Sequence, residues 1–151
     1  MGVLRAIQKT VTLCRVESEQ LKDEHLQSMD GRRVLIVDDN PASRDLLRFA
    51  LELQYVVEEA GNGKEAISRI RHTLPDLVLM DVQMPVMDGY EALREIRANP
   101  ASATIPVIAI TAFAMLGDRR TAFAAGFDGY LAKPINIVAL RTLIALLLKQ
   151  R

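Results

Sequence analysis

The strongest constraint on the fold is the alternation, from Arg33 onward, of short apolar segments with longer amphipathic ones. Five of the short segments are predicted strands: Val34–Asp38, Val56–Ala60, Leu77–Asp81, Ile105–Ile110 and Gly129–Leu131. Three are continuous apolar runs, which is typical of parallel strands covered on both faces. The pattern predicts an α/β fold, a doubly wound (βα)5 parallel sheet with right-handed crossovers.

Residues that begin and end helices lie between these strands. Asn40 precedes Pro41, which predicts an N-cap followed by proline at the first helical position. Gly126 is placed to end a helix over residues 115–125. Pro106 is expected at the second residue of its strand, where a missing N–H is tolerated at an unpaired end. Further N-caps are predicted at Asn62 and Asp88, each with a glutamate three residues later, and at Asn136.

Residues 1–31 break the pattern, and we interpret residues 32–151 as the main domain. The first segment has apolar residues at heptad spacing, but fewer than three clean heptads is weak support for a coiled coil. We expect a partly helical or disordered extension. The residues at this spacing are Leu4, Ile7, Val11, Cys14 and Leu21.

Charge and cysteine content exclude several classes of protein. The 19 acidic residues balance 19 lysines and arginines, and no part of the chain is strongly basic, which disfavours nucleic-acid binding. Cys14 is the only cysteine, so no internal disulfide forms, as expected in a reducing compartment. The apolar region Ile135–Leu148 is too short and interrupted to span a membrane. With no signal-peptide core, a cytoplasmic protein is expected.

Polar residues follow four of the predicted strands. Asp38 and Asp39 end the first strand, Asp81 ends the third, Thr111 follows the fourth and Lys133 follows the fifth. Ligands of open parallel sheets bind beyond the carboxyl ends of the strands, where the strand order reverses. A strand order of 2-1-3-4-5 places strands one and three side by side, so these groups converge on one edge.

Three neighbouring carboxylates repel each other unless a cation compensates them. Mg²⁺ takes oxygen ligands and commonly uses one or two carboxylates beside phosphate oxygens. Carboxylates also act as nucleophiles that form aspartyl-phosphate. Each polar residue taken singly has an ordinary structural explanation, but the ordered set predicts a metal-assisted phosphoryl-transfer site.

The chain resembles the receiver domain of two-component response regulators, the CheY-like superfamily, over residues 32–151. The resemblance rests on VLIVDDNPASR, LPDLVLMDVQMPVMDGYEALREIR, IPVIAITAFA and GFDGYLAKPI. The intervals also fit, with 42 residues from Asp39 to Asp81, 30 to Thr111 and 22 to Lys133. It implies a flavodoxin-like sheet.

The resemblance implies the roles of the acidic residues. Asp81 would be the phosphoacceptor, and the phosphodonor would be a histidine kinase or a His-phosphotransfer protein. Asp38 and Asp39 would hold Mg²⁺ together with the side chain of Asp81 and the backbone carbonyl of Gln83. The chain would catalyse only its own phosphoryl uptake and loss, and would not otherwise be an enzyme.

The remaining site residues are also assigned by the resemblance. Lys133 would pair with the phosphoryl oxygens and with Asp81, and the Lys133–Pro134 peptide is a candidate cis bond. Thr111 would donate its hydroxyl to the phosphoryl group and move toward it. Tyr130 would be the aromatic switch that turns inward once Thr111 has moved.

Within the family, the motifs are similar to those of single-domain cell-cycle regulators and of receivers in hybrid histidine kinases. The chain stops at Arg151, so we expect no DNA-binding output domain and an output made through protein contacts. The fourth helix, fifth strand and fifth helix are the expected partner surface, with a homodimer as an alternative. The last helix has a core-facing stripe and two apolar residues predicted to lie off it, Leu143 and Leu146.

Three other functions fit the sequence less well. A haloacid-dehalogenase-like phosphatase needs a second aspartate two residues after its nucleophile, where this chain has Gln83. A phosphorylation-independent binding module would have lost an acid, the threonine or the lysine, and all are present. An FMN binder needs a glycine- and hydroxyl-rich phosphate loop after the first strand, whereas this chain has the acidic sequence DDNPASR there. The resemblance also implies that the residues two past the acceptor and two past the threonine, Gln83 and Phe113, tune hydrolysis of the phosphoryl group. Because Phe113 is bulky enough to screen water, although Gln83 would help to position it, we expect a fairly long-lived phosphorylated form.

Overall fold

The computed structural model describes residues 31–112 and 116–150. Its five strands are parallel and lie in the order β2-β1-β3-β4-β5, which confirms the predicted order and places β1 beside β3. The predicted extension and Phe113 lie outside the described residues. The strands are β1 (Arg33–Val37), β2 (Val56–Ala60), β3 (Leu77–Asp81), β4 (Val107–Thr111) and β5 (Gly129–Ala132).

A helix follows each strand, and the helices cover both faces of the sheet. The helices are α1 (Pro41–Leu51), α2 (Gly63–His72), α3 (Gly89–Ala98), α4 (Leu116–Ala125) and α5 (Ile137–Lys149). One apolar cluster joins the sheet to α1 and α5, and the other joins it to α2, α3 and α4. β3 and β4 are buried along their whole length between these two layers, which explains their continuous apolar sequences.

The predicted N-caps are confirmed. The side chain of Asn40 accepts a hydrogen bond from the backbone N–H of Ala42, and Pro41 begins α1. At the starts of α2, α3 and α5 the capping side chain accepts from the N–H three residues later, and the capping residues are Asn62, Asp88 and Asn136. Gly126 follows α4 with a φ of +111°, a conformation that favours glycine. These caps fix where each helix begins relative to the strand before it.

Several predicted strand boundaries are wrong. β1 begins at Arg33, β4 ends at Thr111 and β5 ends at Ala132, each one residue beyond the predicted bound. β1 ends at Val37, because Asp38 leaves the strand to enter the functional site described below. β4 begins at Val107, because Pro106 has no N–H to donate and the N–H of Ile105 instead turns back to the carbonyl of Ser102. The carbonyl of Pro106 still accepts from Val78 on β3.

The prediction for Leu143 is also wrong. This side chain packs against the core, because β5 begins with a glycine that lets α5 approach closely. A Cβ at Gly129 would lie 2.9 Å from Cδ2 of Leu143. Leu146 is exposed, as predicted, and Leu140, Ile144 and Leu148 form the buried stripe. Within the described part of the chain, no helix is long and apolar enough to cross a membrane.

Candidate acidic metal and phosphoryl site

Three carboxylates meet at the carboxyl edge of the sheet. Asp38 follows β1, Asp39 is the next residue, and Asp81 is the last residue of β3. Each offers a carboxylate oxygen, and the three oxygens lie within 4.8 Å of one another. Asp38 and Asp81 are 1% and 5% exposed, whereas Asp39 faces solvent. The sequence-predicted convergence of the three acids is therefore present in the structure.

Asp38 is held by hydrogen bonds from several directions. Its N–H donates to the carbonyl of Ala60 on β2 at 3.1 Å. Its Oδ1 accepts from the backbone N–H of Asn40 at 2.8 Å. Its carbonyl oxygen accepts from Nη1 of Arg44 on α1 at 2.7 Å. The start of α1 thus fixes the acidic turn that follows β1.

Asp81 is carried to the rim by a strand buried on both sides. Its Oδ1 accepts a hydrogen bond from the backbone N–H of Gln83 at 2.9 Å. The start of α3 packs directly on this strand end, where Gly89 donates its N–H to the carbonyl of Val82 at 3.0 Å. A Cβ at Gly89 would lie 2.6 Å from the carbonyl oxygen of Asp81, so the position requires glycine.

Lys133 supplies the opposite charge within the cluster. Its Nζ lies 2.8 Å from Oδ2 of Asp38 and 3.1 Å from Oδ2 of Asp81. Its backbone N–H donates to the carbonyl of Thr111 at 2.8 Å, and the Lys133–Pro134 peptide is cis as expected. Burial alone would lower the pKa of Lys133, but its hydrogen bonds to the two carboxylates outweigh burial and raise that pKa.

The negative charge of Asp81 is not fully compensated by the neighbouring groups. Burial raises the pKa of Asp81, and the charge of Asp38 raises it further. The hydrogen bond from Gln83 and the charge of Lys133 act in the opposite direction without reversing the shift. The site therefore has an excess of negative charge that another cation can stabilise.

Thr111 and Tyr130 lie on the two neighbouring strands. Thr111 is buried at the end of β4, and Tyr130 is half-buried in β5 against the apolar cluster that includes α3 and α4. Burial raises the pKa of the Tyr130 hydroxyl, with further contributions from Asp118 and Tyr90. Tyr90 itself packs edge-on against Phe127, with ring centroids 5.6 Å apart.

The donor set fits a hard divalent cation. All three side-chain groups are carboxylates, and their separation allows one small ion to contact more than one of them. Two of the acids are fixed by backbone N–H donors, while exposed Asp39 leaves an open side for water ligands. The backbone carbonyl of Gln83 lies two residues past Asp81, on the loop whose N–H already bonds that aspartate.

Arg44 was not predicted from the sequence as part of the site. Its guanidinium donates to the backbone carbonyl of Asp38 and not to the Asp38 carboxylate, so the charge of Asp38 gives no signal for this contact. The available signal is its position: it lies on the first turn of α1, and its backbone N–H donates to the carbonyl of Asn40. A long cationic side chain there reaches back to the end of β1.

Comparison with known proteins identifies the family. The response regulator receiver domain family matches residues 34–145. The sensor histidine kinase GacS of Pseudomonas protegens is 40% identical over 136 residues, which cover 87% of this chain and 14% of the kinase. The polar-differentiation response regulator DivK of Brucella anthropi is 38% identical over 107 residues, covering 70% of this chain and 87% of DivK. This chain therefore spans about one-seventh of the kinase relative and most of the regulator.

A solved structure supports the same assignment. The receiver domain of the sensor histidine kinase PA1611 from Pseudomonas aeruginosa is 37% identical, with a TM-score of 0.73. The match covers 79% of this chain and 98% of that domain, whose active-site cleft coordinates a magnesium ion. Receiver domains bind Mg²⁺ at an acidic cluster of the kind found here and receive phosphoryl groups from histidine kinases. The chain belongs to the response regulator receiver domain family.

Proposed function

We propose that Asp81 is the phosphoacceptor of a two-component phosphorelay. The observation that carries this proposal is the pairing of Asp81 with Lys133 inside the acidic cluster. A carboxylate at the end of a rigid strand has a cation 3.1 Å away and two further acids within 4.8 Å. This arrangement suits a nucleophile that gains negative charge as it accepts a phosphoryl group.

The phosphodonor is a phosphohistidine of a histidine kinase or a His-phosphotransfer protein. A carboxylate oxygen of Asp81 attacks the phosphorus atom, the new O–P bond forms, the P–N bond breaks, and the imidazole leaves. Lys133 neutralises charge on the phosphoryl oxygens and keeps its contact with Asp38. Asp38, Asp39, Asp81 and the backbone carbonyl of Gln83 would hold Mg²⁺, which supplies positive charge to the transferred group.

Thr111 and Tyr130 form the proposed switch. Thr111 ends the strand beside β3, and its carbonyl accepts a hydrogen bond from the backbone N–H of Lys133. A movement of Thr111 toward the phosphoryl group is therefore transmitted to the end of β5. Thr111 donates its hydroxyl to the phosphoryl group, and Tyr130 then turns inward. The partly buried position of Tyr130 against the apolar cluster supports this role.

The output is a protein contact made through α4, β5 and α5. Phe123, Val138 and Leu146 are exposed apolar side chains on this surface, and such residues favour partner binding or a homodimer. Residues 32–151 are the receiver, residues 1–31 are a separate extension, and the protein acts in the cytoplasm. Its chemistry is limited to its own phosphoryl group. The phosphorylated form is fairly long-lived, because the bulky Phe113 screens attacking water more than Gln83 helps to position it.

The test is intact mass after incubation with Mg²⁺ and acetyl phosphate, applied to the wild type and to Asp81→Asn. The wild type should gain one phosphoryl group, and EDTA should abolish the gain. Asp81→Asn should gain none. Circular dichroism of both proteins establishes that the substitution leaves the fold intact.

The same experiment distinguishes the phosphoacceptor from the second candidate function. A folded wild type that gains no phosphoryl group would instead favour a phosphorylation-independent binding module. Rapid decay of the phosphorylated form, as in fast chemotaxis regulators, would contradict only the long lifetime. A haloacid-dehalogenase-like phosphatase is disfavoured because the side chain of Gln83 cannot shuttle a proton.

A further inference from the structure

Asp38 and Asp39 are consecutive residues, yet both carboxylates point into the same site. Successive side chains of a regular strand point to opposite faces of the sheet. Here an oxygen of each lies within 4.8 Å of the other and of Asp81. The peptide that joins Asp38 to Asp39 must therefore be turned out of the strand geometry and held there.

The side chain of Arg44 holds this peptide by a hydrogen bond to the carbonyl oxygen of Asp38. The carbonyl of Asp38 accepts from Nη1 of Arg44 at 2.7 Å. The other polar groups of Asp38 are bonded to Ala60, Asn40 and Lys133. Those three contacts fix Asp38 itself, whereas the contact with Arg44 fixes the plane of the following peptide and hence the direction of Asp39.

Arg44 is itself positioned by an acidic residue of the neighbouring strand. Its Nε lies 3.6 Å from Oε1 of Glu59 on β2, and the side chains of Arg44 and Glu59 are 22% and 28% exposed. The other carboxylate oxygen of Glu59 lies 3.5 Å from Nη1 of Arg48, one turn further along α1. Arg44 and Arg48 thus share an anionic partner, and Arg44 also donates to the carbonyl of Asp38 in the acidic cluster.

We propose that Arg44 is a positioning residue for divalent-cation binding, an inference that rests on the proposed metal site. It keeps the carboxylates of Asp38 and Asp39 on one side before the ion arrives. Without the guanidinium, the peptide between them gains freedom, and that freedom is lost again when the ion binds. Outer contacts of this kind commonly contribute about 10-fold or more to metal affinity.

The experiment measures the Mg²⁺ dissociation constant of the full chain by isothermal titration calorimetry. Arg44→Met removes the bond to Asp38. Arg48→Met is the matched control, because it also removes an arginine that contacts Glu59, together with the ion pair from Arg48 to Asp45. Arg44→Met should weaken Mg²⁺ binding on the order of 10-fold. Arg48→Met should stay within about 2-fold of the wild type. Arg44→Lys keeps a donor and a charge, so it should restore part of the affinity.

Thermal unfolding in EDTA separates positioning from simple stabilisation. A residue with a purely structural role would lower the melting temperature of Arg44→Met without changing the dissociation constant. Equal Mg²⁺ affinity of Arg44→Met and Arg48→Met would overturn the inference while leaving the proposed function intact. Absence of Mg²⁺ binding by the wild type would overturn both. If Arg44→Met does not fold, Arg44→Gln carries the test, because it keeps a polar side chain but lacks the charge and the length of arginine. Wild-type Mg²⁺ affinity in that variant would overturn the inference.

Discussion

The ammonium nitrogen of Lys133 lies 3.1 Å from Oδ2 of Asp81 and makes a second, shorter contact of 2.8 Å with Asp38. One cation therefore serves two buried carboxylates. Because the closer contact is to Asp38, Asp81 is the less well compensated of the two. Burial is the main cause of the raised pKa of Asp81, the charge of Asp38 adds to it, and Lys133 offsets only part of the shift.

This arrangement predicts that Asp81→Asn stabilises the metal-free protein. The carboxylate of Asp81 is costly to charge in the folded state, and Lys133 keeps its contact with Asp38 after the substitution. In EDTA at pH 7, the free energy of unfolding should rise by about 1 kcal/mol, within the range common for single substitutions. Urea unfolding of both proteins measures the difference.

The pH dependence of the free energy of unfolding tests whether the charge of Asp81 causes this difference. Since the folded-state pKa of Asp81 is raised, its ionisation lowers stability as the pH rises from about 4 through the folded-state value. The advantage of Asp81→Asn should therefore disappear at acidic pH, where the wild-type carboxyl is protonated. Mg²⁺ should stabilise the wild type more than the variant. An advantage that is independent of pH would point to packing instead of charge.

Gly89→Ala should damage the site through the backbone. The added Cβ would lie 2.6 Å from the carbonyl oxygen of Asp81 and 2.8 Å from Cα of Val82, and neither atom can move without shifting the end of β3. We expect a loss of about 2 kcal/mol in the free energy of unfolding, a typical cost of overpacking. Phosphoryl uptake from acetyl phosphate should slow in parallel.

Gly61→Ala is the control for this substitution. A Cβ at Gly61 would be 3.5 Å from a carboxylate oxygen of Glu65, which is an ordinary contact. Its free energy of unfolding should stay within about 0.5 kcal/mol of the wild type. Equal losses for the two alanine variants would contradict the requirement for glycine at the start of α3.

Much of this site was predictable because strand ends and helix starts leave strong sequence signals. The apolar run of β3 gave its bounds, and Asn40 and Pro41 marked the start of α1. With the strand order, these signals place Asp38 and Asp81 at one edge. Charge and hydroxyl content then suggest the chemistry.

Contacts between distant parts of the chain were not predictable from local pattern. Leu143 was predicted off the core-facing stripe, yet it packs closely over Gly129. Pro106 lies before β4 because strand pairing, and not apolar content, decides where a strand begins. The bond from Arg44 to Asp38 uses a backbone carbonyl, which has no signature in residue type.

An exposed apolar stripe on α1 predicts where a protein phosphodonor docks. Leu46 and Phe49 are 51% and 75% exposed and lie three residues apart on one face of this helix. The helix begins beside Asp38, so a partner on this stripe is near the acidic cluster. Phe49→Ser should slow transfer from a phosphorylated His-phosphotransfer protein about 10-fold, as expected for a large interface residue.

Acetyl phosphate, a small-molecule phosphodonor, is the control for the protein phosphodonor. Acetyl phosphate needs no docking surface, so uptake from it by Phe49→Ser should match the wild type. Leu74→Ser is the matched control, because Leu74 is 51% exposed but precedes β3 at the opposite edge of the sheet. A slowing with both donors, or an equal slowing in Leu74→Ser, would rule out α1 as the docking surface.

Arg97 on α3 joins the segments that precede β4 and β5, at the edge of the sheet where the strands begin. Its Nη1 donates to the carbonyls of Ala103 and Ile105 at 3.0 and 2.6 Å. Its Nη2 donates to the carbonyl of Gly126 and to Oδ2 of Asp128 at 3.0 and 2.7 Å. Arg97→Met should lower the free energy of unfolding by about 3 kcal/mol, because several partly buried acceptors lose a charged donor together.

Arg97→Met is expected to lower the free energy of unfolding without affecting the phosphoryl site. Arg94→Met, at an exposed position of the same helix, should change the free energy of unfolding by less than about 0.5 kcal/mol. Mg²⁺ affinity of folded Arg97→Met should equal that of the wild type, since Arg97 contacts none of the three acids of the site. Equal losses in the two arginine variants would show that helix propensity or surface charge, and not the four hydrogen bonds, accounts for the effect.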